Sequence, residues 1–395
     1  VRAALAEKSA LIESIRSDSN KLSNETAHWQ AVWEEGAVND ERNGRSPGAR
    51  PTLAAVARRA GVSNSTASLA FGGAGPVSDA TRERVLTAAR ELNYAGPDPR
   101  ARSLRRGRSG IVGVVVEERV RDAFRDPIKL ALLDGLSEAI APLDAGLLLL
   151  ADTGAASAHI EDASMDAAVL IGCSPRLDES VAALWRRGIP LVAIEGEPAD
   201  GVLVFSLDNR SATRAVAEHL RALGHERVAI VALPLERVRR RARLTPELEA
   251  EGTSNTAIER LAGARDVFPD AGGFVTTGSF VEEGRLAARE LLADPDARPT
   301  AIIAQSDLLA AGVIRAAEEL GIAVPAELSV VGFDGVRVDG LWPYDLTTLV
   351  QPAVEKGRAA GRAIVEMLAG GHPVALAFTS EFHLGNTTAP PPPLP

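Results

Sequence analysis

The chain has 395 residues, 46% of them hydrophobic and 24% charged, with a net charge of −10. That is ordinary globular composition, long enough for two or three domains. A single cysteine, Cys173, excludes a disulfide within the chain; directly after the apolar run AAVLIG it reads as a buried, inert thiol. No apolar run reaches membrane-span length and no charged–apolar–small leader pattern opens the sequence, so the cytoplasm is the expected compartment, with no membrane partner.

Residues 1–50 are polar and poorly periodic. The stretch ALAEKSALIESI could form a short amphipathic helix, but the segment as a whole reads as a disordered or non-native extension, with a regulatory arm as the alternative. The next segment, 51–107, is far more structured. Leu53, Val56, Ala57 and Ala60 fall on one helical face. Gly61 breaks that helix, Val62 plugs the turn, and the hydroxyl of Ser63 can cap a second helix that starts with Asn64, Ser65, Thr66 and Ser68. Helix, glycine turn and polar-fronted helix are the parts of a helix-turn-helix, whose second helix lies in the DNA major groove. Charge agrees. Residues 51–108 hold ten arginines against four acidic residues, a net of +6 on an otherwise acidic chain. That is the electrostatic footprint of a phosphate-binding head.

The pieces TLAAVARRAGVS, STAS, VSDATRERVLTAARELNY and PDPRARSLRRGRS follow in order. They resemble the head of the lactose-repressor (LacI/GalR) family of bacterial transcription regulators, and the resemblance continues to about Pro352. It implies that Asn64 and Ser65 read bases, and that Thr52, Thr66, Ser68 and Arg82 contact or position on phosphates, beside the capping Ser63. Leu69 stands where relatives commonly carry an arginine, so apolar contact replaces bidentate guanine reading there. Asp98 and Pro99 can open a short helix over 100–106. The resemblance makes this a hinge helix entering the minor groove, with Leu104 as the wedge and Ala101 the smaller residue beside it. The other reading of that segment is a flexible linker.

From residue 109 an α/β alternation begins. Strand candidates are 111–116, 146–152, 167–172, 190–195, 202–208, 227–233, 300–305 and 328–334, all near-continuous apolar runs suited to a parallel sheet buried on both faces. Helical patterns fall between them, several ending at glycine. The fold expected is therefore α/β and doubly wound, in two lobes, after an N-terminal helix-turn-helix head and hinge helix. The resemblance implies that the lobes are periplasmic-binding-protein-like, joined by crossing strands, with an effector in the cleft. The expected divisions are 1–50 extension, 51–95 head, 96–108 hinge, 109–386 effector-binding and dimerisation domain, and 387–395 proline-rich tail. The tail lacks the leucine heptads of a tetramerising coiled coil.

Ligands of open parallel sheets bind beyond the carboxyl ends of strands. Glu195, Asp208, Ser306, Asp307 and Asp334 stand directly after apolar runs. The resemblance implies ligand contacts from Glu195, Arg260, Ser306 and Asp334, with Ser306 where an asparagine is common. Asp208 and Asp307 are expected to cap the helices that follow them. Phe124 and Asp126 either line the cleft or close a turn. Trp342 and Tyr344 either stack on the ligand or pack a lobe crossover. Phe124 and Trp342 join the candidate effector set. His225 reads as a helix-end residue, and the insertion 234–256 as a surface loop with solvated arginines.

No P-loop, GxGxxG strand–helix unit, GxSxG elbow or zinc spacing occurs. The expectation is a ligand-responsive DNA-binding regulator; the resemblance implies a repressor whose operator affinity is changed by a small sugar-like effector, acting as inducer or as corepressor. It would bind a pseudo-palindromic double-stranded operator as a homodimer, with no enzyme activity, cofactor or metal. The alternative from another class is a cytoplasmic α/β sugar-binding protein or enzyme with a helical appendage.

Overall fold

The computed structural model describes residues 51–72, 77–96, 107–152, 158–172, 178–196, 200–236 and 239–392. The chain divides into two compact units, Val1–Arg105 and Arg106–Pro395. Cys173 and the hinge residues Ala101 and Leu104 lie outside the described residues.

The first unit is built from α1 (Leu53–Ala60), α2 (Asn64–Gly72) and α3 (Asp79–Glu91). Thr52 opens α1 by accepting the Ala55 N–H at 3.3 Å, and Gly61 closes it at φ 66°, the left-handed conformation that favours glycine. Ser78 opens α3 by accepting the Thr81 N–H. The core is mostly small: Val56, Ala57, Ala67, Ala70, Val85, Ala88 and Ala89 are buried, which lets the three helices approach closely. Leu53, Ala60 and Val62 pack against it, as their spacing predicts. Phe71 and Tyr94 close one edge with rings 5.6 Å apart, edge to face.

The second unit is two-lobed. In the first lobe, β1 (Ile111–Val116), β2 (Gly146–Ala151), β3 (Ala167–Ile171), β4 (Leu191–Ile194), β5 (Val202–Leu207) and the late strand β12 (Ala377–Phe378) form a parallel sheet in the order β12-β5-β4-β3-β1-β2. Helices α4 (Val120–Ala123), α5 (Pro127–Ile140), α6 (Ala158–Asp162) and α7 (Asp178–Arg186) connect its strands. The second lobe carries β6 (Val228–Ala232), β7 (Ala242–Arg243), β8 (Gly273–Val275), β9 (Ala301–Ala304) and β10 (Ser329–Val331), in the order β10-β9-β6-β8-β7. Its helices are α8 (Asn209–Ala222), α9 (Pro246–Ala250), α10 (Asn255–Arg265), α11 (Val281–Leu292) and α12 (Asp307–Glu319). β11 (Thr348–Val350) then leads to α13 (Ala353–Leu368), which packs back into the first lobe's core, and β13 (Glu381–His383) returns to pair with β11. The chain thus passes between lobes three times. Every strand expected from an apolar run forms, because helices cover both faces of each sheet.

Two local expectations change. Asp208 stands at the start of α8 but makes no side-chain cap bond there. Its Oδ1 instead accepts from the N–H and hydroxyl of Ser380, at 2.9 and 3.1 Å, tying two of the crossings together. The insertion 234–256 is not a solvated loop: it adds β7 as an antiparallel edge to the second sheet, followed by α9. The tail segment starts anchored. Thr387 is buried and donates to the Val330 carbonyl at 2.7 Å, and the Ala389 N–H donates to Ser329 Oγ at 3.0 Å. His225, at the end of α8 as expected, is buried with ring nitrogens on Thr300 Oγ1, Ser329 Oγ and the Ala389 carbonyl. Burial pushes its pKa below the usual imidazole value.

Helix α12, whose start faces the cleft, lies against α11 at backbone contact distance. A Cβ on Gly312 would sit 2.0 Å from the Val281 carbonyl oxygen. Gly312→Ala is therefore expected to destabilise the protein by about 1–3 kcal/mol in urea unfolding. Gly272→Ala, with no atom within 4 Å of the added methyl, is the matched control and should be near neutral. Equal effects of the two substitutions would contradict this packing.

Candidate functional site

In the first unit, α2 buries Ala67 and Ala70 and turns Asn64, Ser65 and Leu69 outward. Ser63 caps α2 as expected: its Oγ accepts the Thr66 N–H at 3.1 Å, and the two hydroxyls lie 2.9 Å apart. Thr52 is exposed and Thr66, Ser68 and Arg82 are half-buried. An exposed, uncharged helix face on a basic module can enter a major groove without desolvating a buried charge.

In the second unit, a cavity of about 200 Å3 opens between the lobes. Beside it the side chains form a closed ring. Glu195, directly after β4, bonds Lys356 of α13 through Oε1. Lys356 Nζ also bonds Gln351 Oε1. Gln351 Nε2 donates to Asp334 Oδ1 at 2.7 Å. Arg260 Nη1 lies 3.5 Å from that same oxygen. Arg260 Nε donates to Asn209 Oδ1 at 2.8 Å, and Asn209 Nδ2 closes the ring on Glu195 Oε2 at 3.1 Å. Arg260 also donates to the Gln305 carbonyl at 2.6 Å and stacks 3.5 Å over the Phe333 ring. Lys356 is fully buried and Arg260 is 3% exposed, so both cations depend on these partners.

The two carboxylates titrate in opposite directions. Burial alone would raise Glu195, but the adjacent Lys356 and Arg260 overcome it and hold the group down to about 2. Burial raises Asp334 to about 7 against the pull of Arg260, with Asp126 and Glu195 adding repulsion. Asp307 is also pushed up, by burial and by Asp334. At the opposite wall Lys129 bonds Glu118 at 2.5 Å and Asp126 at 3.0 Å. Burial opposes its charge, yet these two acids hold its pKa above the ordinary lysine value.

Of the expected effector residues, Glu195, Arg260, Ser306 and Asp334 all line this cavity. Ser306, not Asp307, caps α12: its Oγ accepts the Leu309 N–H at 3.2 Å and the Ser279 hydroxyl at 2.8 Å. That leaves its own proton to donate. Asp307 instead accepts from Thr348 Oγ1 at 2.5 Å and the Val336 N–H at 2.7 Å, because strong donors from other segments outcompete a local cap. Asp126 both lines the cavity and caps α5.

Phe124 and Trp342 are corrections. Phe124 follows the short helix α4 and is 57% exposed, outside the cavity lining; Asp126 takes the cleft-facing place in that turn. Trp342 is 89% exposed on a separate depression of the second lobe, while Tyr344 packs against that lobe's core. The aromatic residue that does line the cavity is Phe280, after β8, a strand too short to leave a periodic signal. Lys356 was equally hidden, on a helix whose pattern looks merely amphipathic. Among the described residues no cluster of His, Cys, Asp or Glu could hold a metal ion, and no helix is long and apolar enough to cross a membrane.

The raised pKa of Asp334 has a signed consequence. Unfolded, an aspartate loses its proton near pH 4; folded, Asp334 keeps it to about pH 7. The folded state then binds more protons through that window, so its stability falls as pH rises from about 4 to about 7. Urea melts at pH 5 and pH 8 should show this loss, and Asp334→Asn should reduce it, leaving the part contributed by the likewise raised Asp307. A pH profile unaltered by the substitution would show that Asp334 ionises normally.

The model of the lacI family of bacterial regulatory proteins matches residues 52–96, and that of the periplasmic binding protein-like domain matches residues 217–377. The chain is 34% identical over 365 residues to an HTH-type transcriptional regulator of Mycolicibacterium smegmatis, covering 87% of this chain and 98% of that one. A crystal structure of a LacI-family transcriptional regulator from Corynebacterium glutamicum is similar at TM-score 0.64 and 27% identity, over 87% of this chain and 100% of the other. The complex of the transcriptional regulator CelR with cellobiose gives TM-score 0.59 and 26% identity, over 86% and 100%. Helix-turn-helix unit, two-lobed α/β unit and full-length likeness together make this chain a member of the lacI family, whose members are DNA-binding transcriptional regulators and not enzymes.

Proposed function

We propose that the chain is a ligand-responsive repressor that binds a pseudo-palindromic operator as a homodimer and whose operator affinity is set by a neutral, sugar-like effector in the interlobe cleft. The observation that carries this reading is the side-chain ring, which joins both lobes beside a cavity of ligand scale. On the DNA side, Asn64 and Ser65 read base edges, Leu69 makes apolar contact, and Thr52, Thr66, Ser68 and Arg82 fix the register on phosphates. Ser63 orders the helix start. Ala101 and Leu104 are proposed for the minor groove. Trp342, Phe382 and Leu384 are large apolar side chains left exposed in the second unit, which supports contact with a second copy.

The cleft lining argues for an uncharged ligand. Seven carboxylate residues line it (Glu117, Glu118, Asp122, Asp126, Glu195, Glu236 and Asp334) against Lys129, Arg239 and Arg260. An anion would meet net repulsion, whereas hydroxyls can donate to the carboxylates and accept from the guanidinium. Cavities for drug-sized ligands run to about 300–1,000 Å3, so about 200 Å3 suits a single polyhydroxylated ring. Such a ligand moves the lobe equilibrium only by its differential affinity for the two arrangements.

Mobility shifts on the protein's own promoter should show affinity falling roughly a thousandfold between about 50 and 200 mM salt, if about six phosphates are neutralised. Asn64→Ala should weaken operator binding by about 1–3 kcal/mol without lowering thermal stability. Affinity flat with salt would remove the DNA reading.

Thermal melts with neutral monosaccharides, cellobiose and sugar phosphates test the ligand class. A neutral single-ring sugar is expected to raise the melting temperature, and the phosphorylated sugars to leave it unchanged. Stabilisation by a sugar phosphate alone would overturn it.

A further inference from the structure

Three consecutive arginines of the inserted segment go to three different places. Arg241 grips Glu283, with Nε 3.0 Å from both carboxylate oxygens and Nη2 2.5 Å from Oε1. Glu283 is 5% exposed and also accepts the Thr277 N–H at 2.9 Å. Arg240 turns to the insertion's own acids, Glu236 and Glu251, at 2.7 and 3.3 Å. Arg239 reaches out of its lobe. Its Nη2 donates to the main-chain oxygen of Glu117 at 3.0 Å and lies 3.6 Å from Glu118 Oε2. Its Nη1 donates to the main-chain oxygen of Thr277 at 3.4 Å.

Glu117 and Glu118 directly follow β1 in the first lobe, whereas Thr277 follows β8 in the second. One guanidinium therefore spans the cleft, and it lines the cavity as it does so. The residue's base is fixed. Two positions on, Arg241 is held by Glu283; next, β7 pairs with β8, Ala242 opposite Val275 and Arg243 opposite Phe274. A planar fork with several donors can serve two carbonyls at once, which a lysine ammonium on a flexible stem does less well. The far end is fixed too, since Glu118 also bonds Lys129 at 2.5 Å, and Lys129 bonds Asp126.

We propose that Arg239 is a positioning residue for effector recognition: it bolts the loop after β1 to the inserted edge of the second lobe and so sets the width of the cleft. This rests on the reading of the cavity as the effector site. The insertion then acts as a wall of the site, and holding that wall in place pre-organises the pocket for the effector. Pre-organisation of this kind raises affinity by removing a conformational cost. It also makes release of one side chain the condition for widening the cleft.

Hydrogen–deuterium exchange of the ligand-free full-length protein tests this without effector or DNA. Arg239→Ala is expected to speed exchange about tenfold or more in peptides spanning 117–126 and 277–280. Peptides spanning 301–304 and 329–331, in β9 and β10, should keep wild-type rates. Arg239→Lys, which keeps the charge and loses the fork, should recover only part of the protection. Wild-type rates at 117–126 in Arg239→Ala would overturn the proposal and leave Arg239 a solvated residue at the cleft mouth. A rise throughout the second lobe would overturn it too, making Arg239 a support of that lobe alone. Either result leaves operator binding free to succeed, and a failed mobility shift leaves the bolt intact, so the two readings fail separately.

Discussion

Two cations and two carboxylates packed beside one cleft are the constraint on which the second unit depends. Glu195, Lys356, Gln351, Asp334, Arg260 and Asn209 bond in a closed circuit. Taking such charges out of water costs several kcal/mol each, and only good partners offset it. Here each cation has a carboxylate, and each amide bridges the charged residues on either side. The members come from the end of β4, the start of α8, α10, the segment after β10, the passage after β11 and α13. No lobe owns the ring. A shift of one lobe against the other must break bonds in it or carry them along, and a ligand hydroxyl placed beside it exchanges for bonds that already exist.

The backbone shows the cost of holding this arrangement. Glu195 and Asp334 are non-glycine residues at positive φ, 58° and 122°. Such conformations cost on the order of 1–3 kcal/mol each and persist only where surroundings over-determine them. Both carboxylates of the ring carry this strain. Each carboxylate stands past the end of its strand and lines the cavity, the place where ligands of parallel sheets bind. Electrostatics then divides their roles: Glu195 stays ionised beside Lys356, while Asp334 keeps a proton up to about pH 7 and can either accept from or donate to a hydroxyl.

Much of this was legible in the residues, and what was not has physical causes. The head was readable because caps, a glycine turn and helical spacing are local signals, and Gly61 and Ser63 do what those signals say. The main strands were readable because burial on both faces leaves long apolar runs. Strands β7, β8, β11, β12 and β13 have two or three residues each, too few to show a period. Asp208 and Asp307 looked like caps because capping is a local preference; Ser380, Thr348 and Val336 supply donors that no sequence window contains. Phe124 stood as a candidate for the cleft lining and Trp342 for stacking on a ligand because each sits in a loop beyond a strand end. Which aromatic faces the cavity is decided by the path of the chain, and that path presents Phe280. Arg239 and Arg241 of the insertion looked solvated because their partners lie far away in sequence, as Glu283 does from Arg241.

The most direct test of the ring is a double-mutant cycle across it. Glu195→Gln and Asp334→Asn, singly and together, would be compared by urea unfolding at pH 7.5. Removing Glu195 leaves Asp334 as the sole ring carboxylate facing Lys356 and Arg260, so its charge becomes more valuable than in the native ring. Independent sites add to within about 0.3–0.5 kcal/mol. A ring acting as one unit predicts a double variant less stable than the summed singles by more than about 0.5 kcal/mol; strict additivity would show that the two carboxylates act separately and would contradict it.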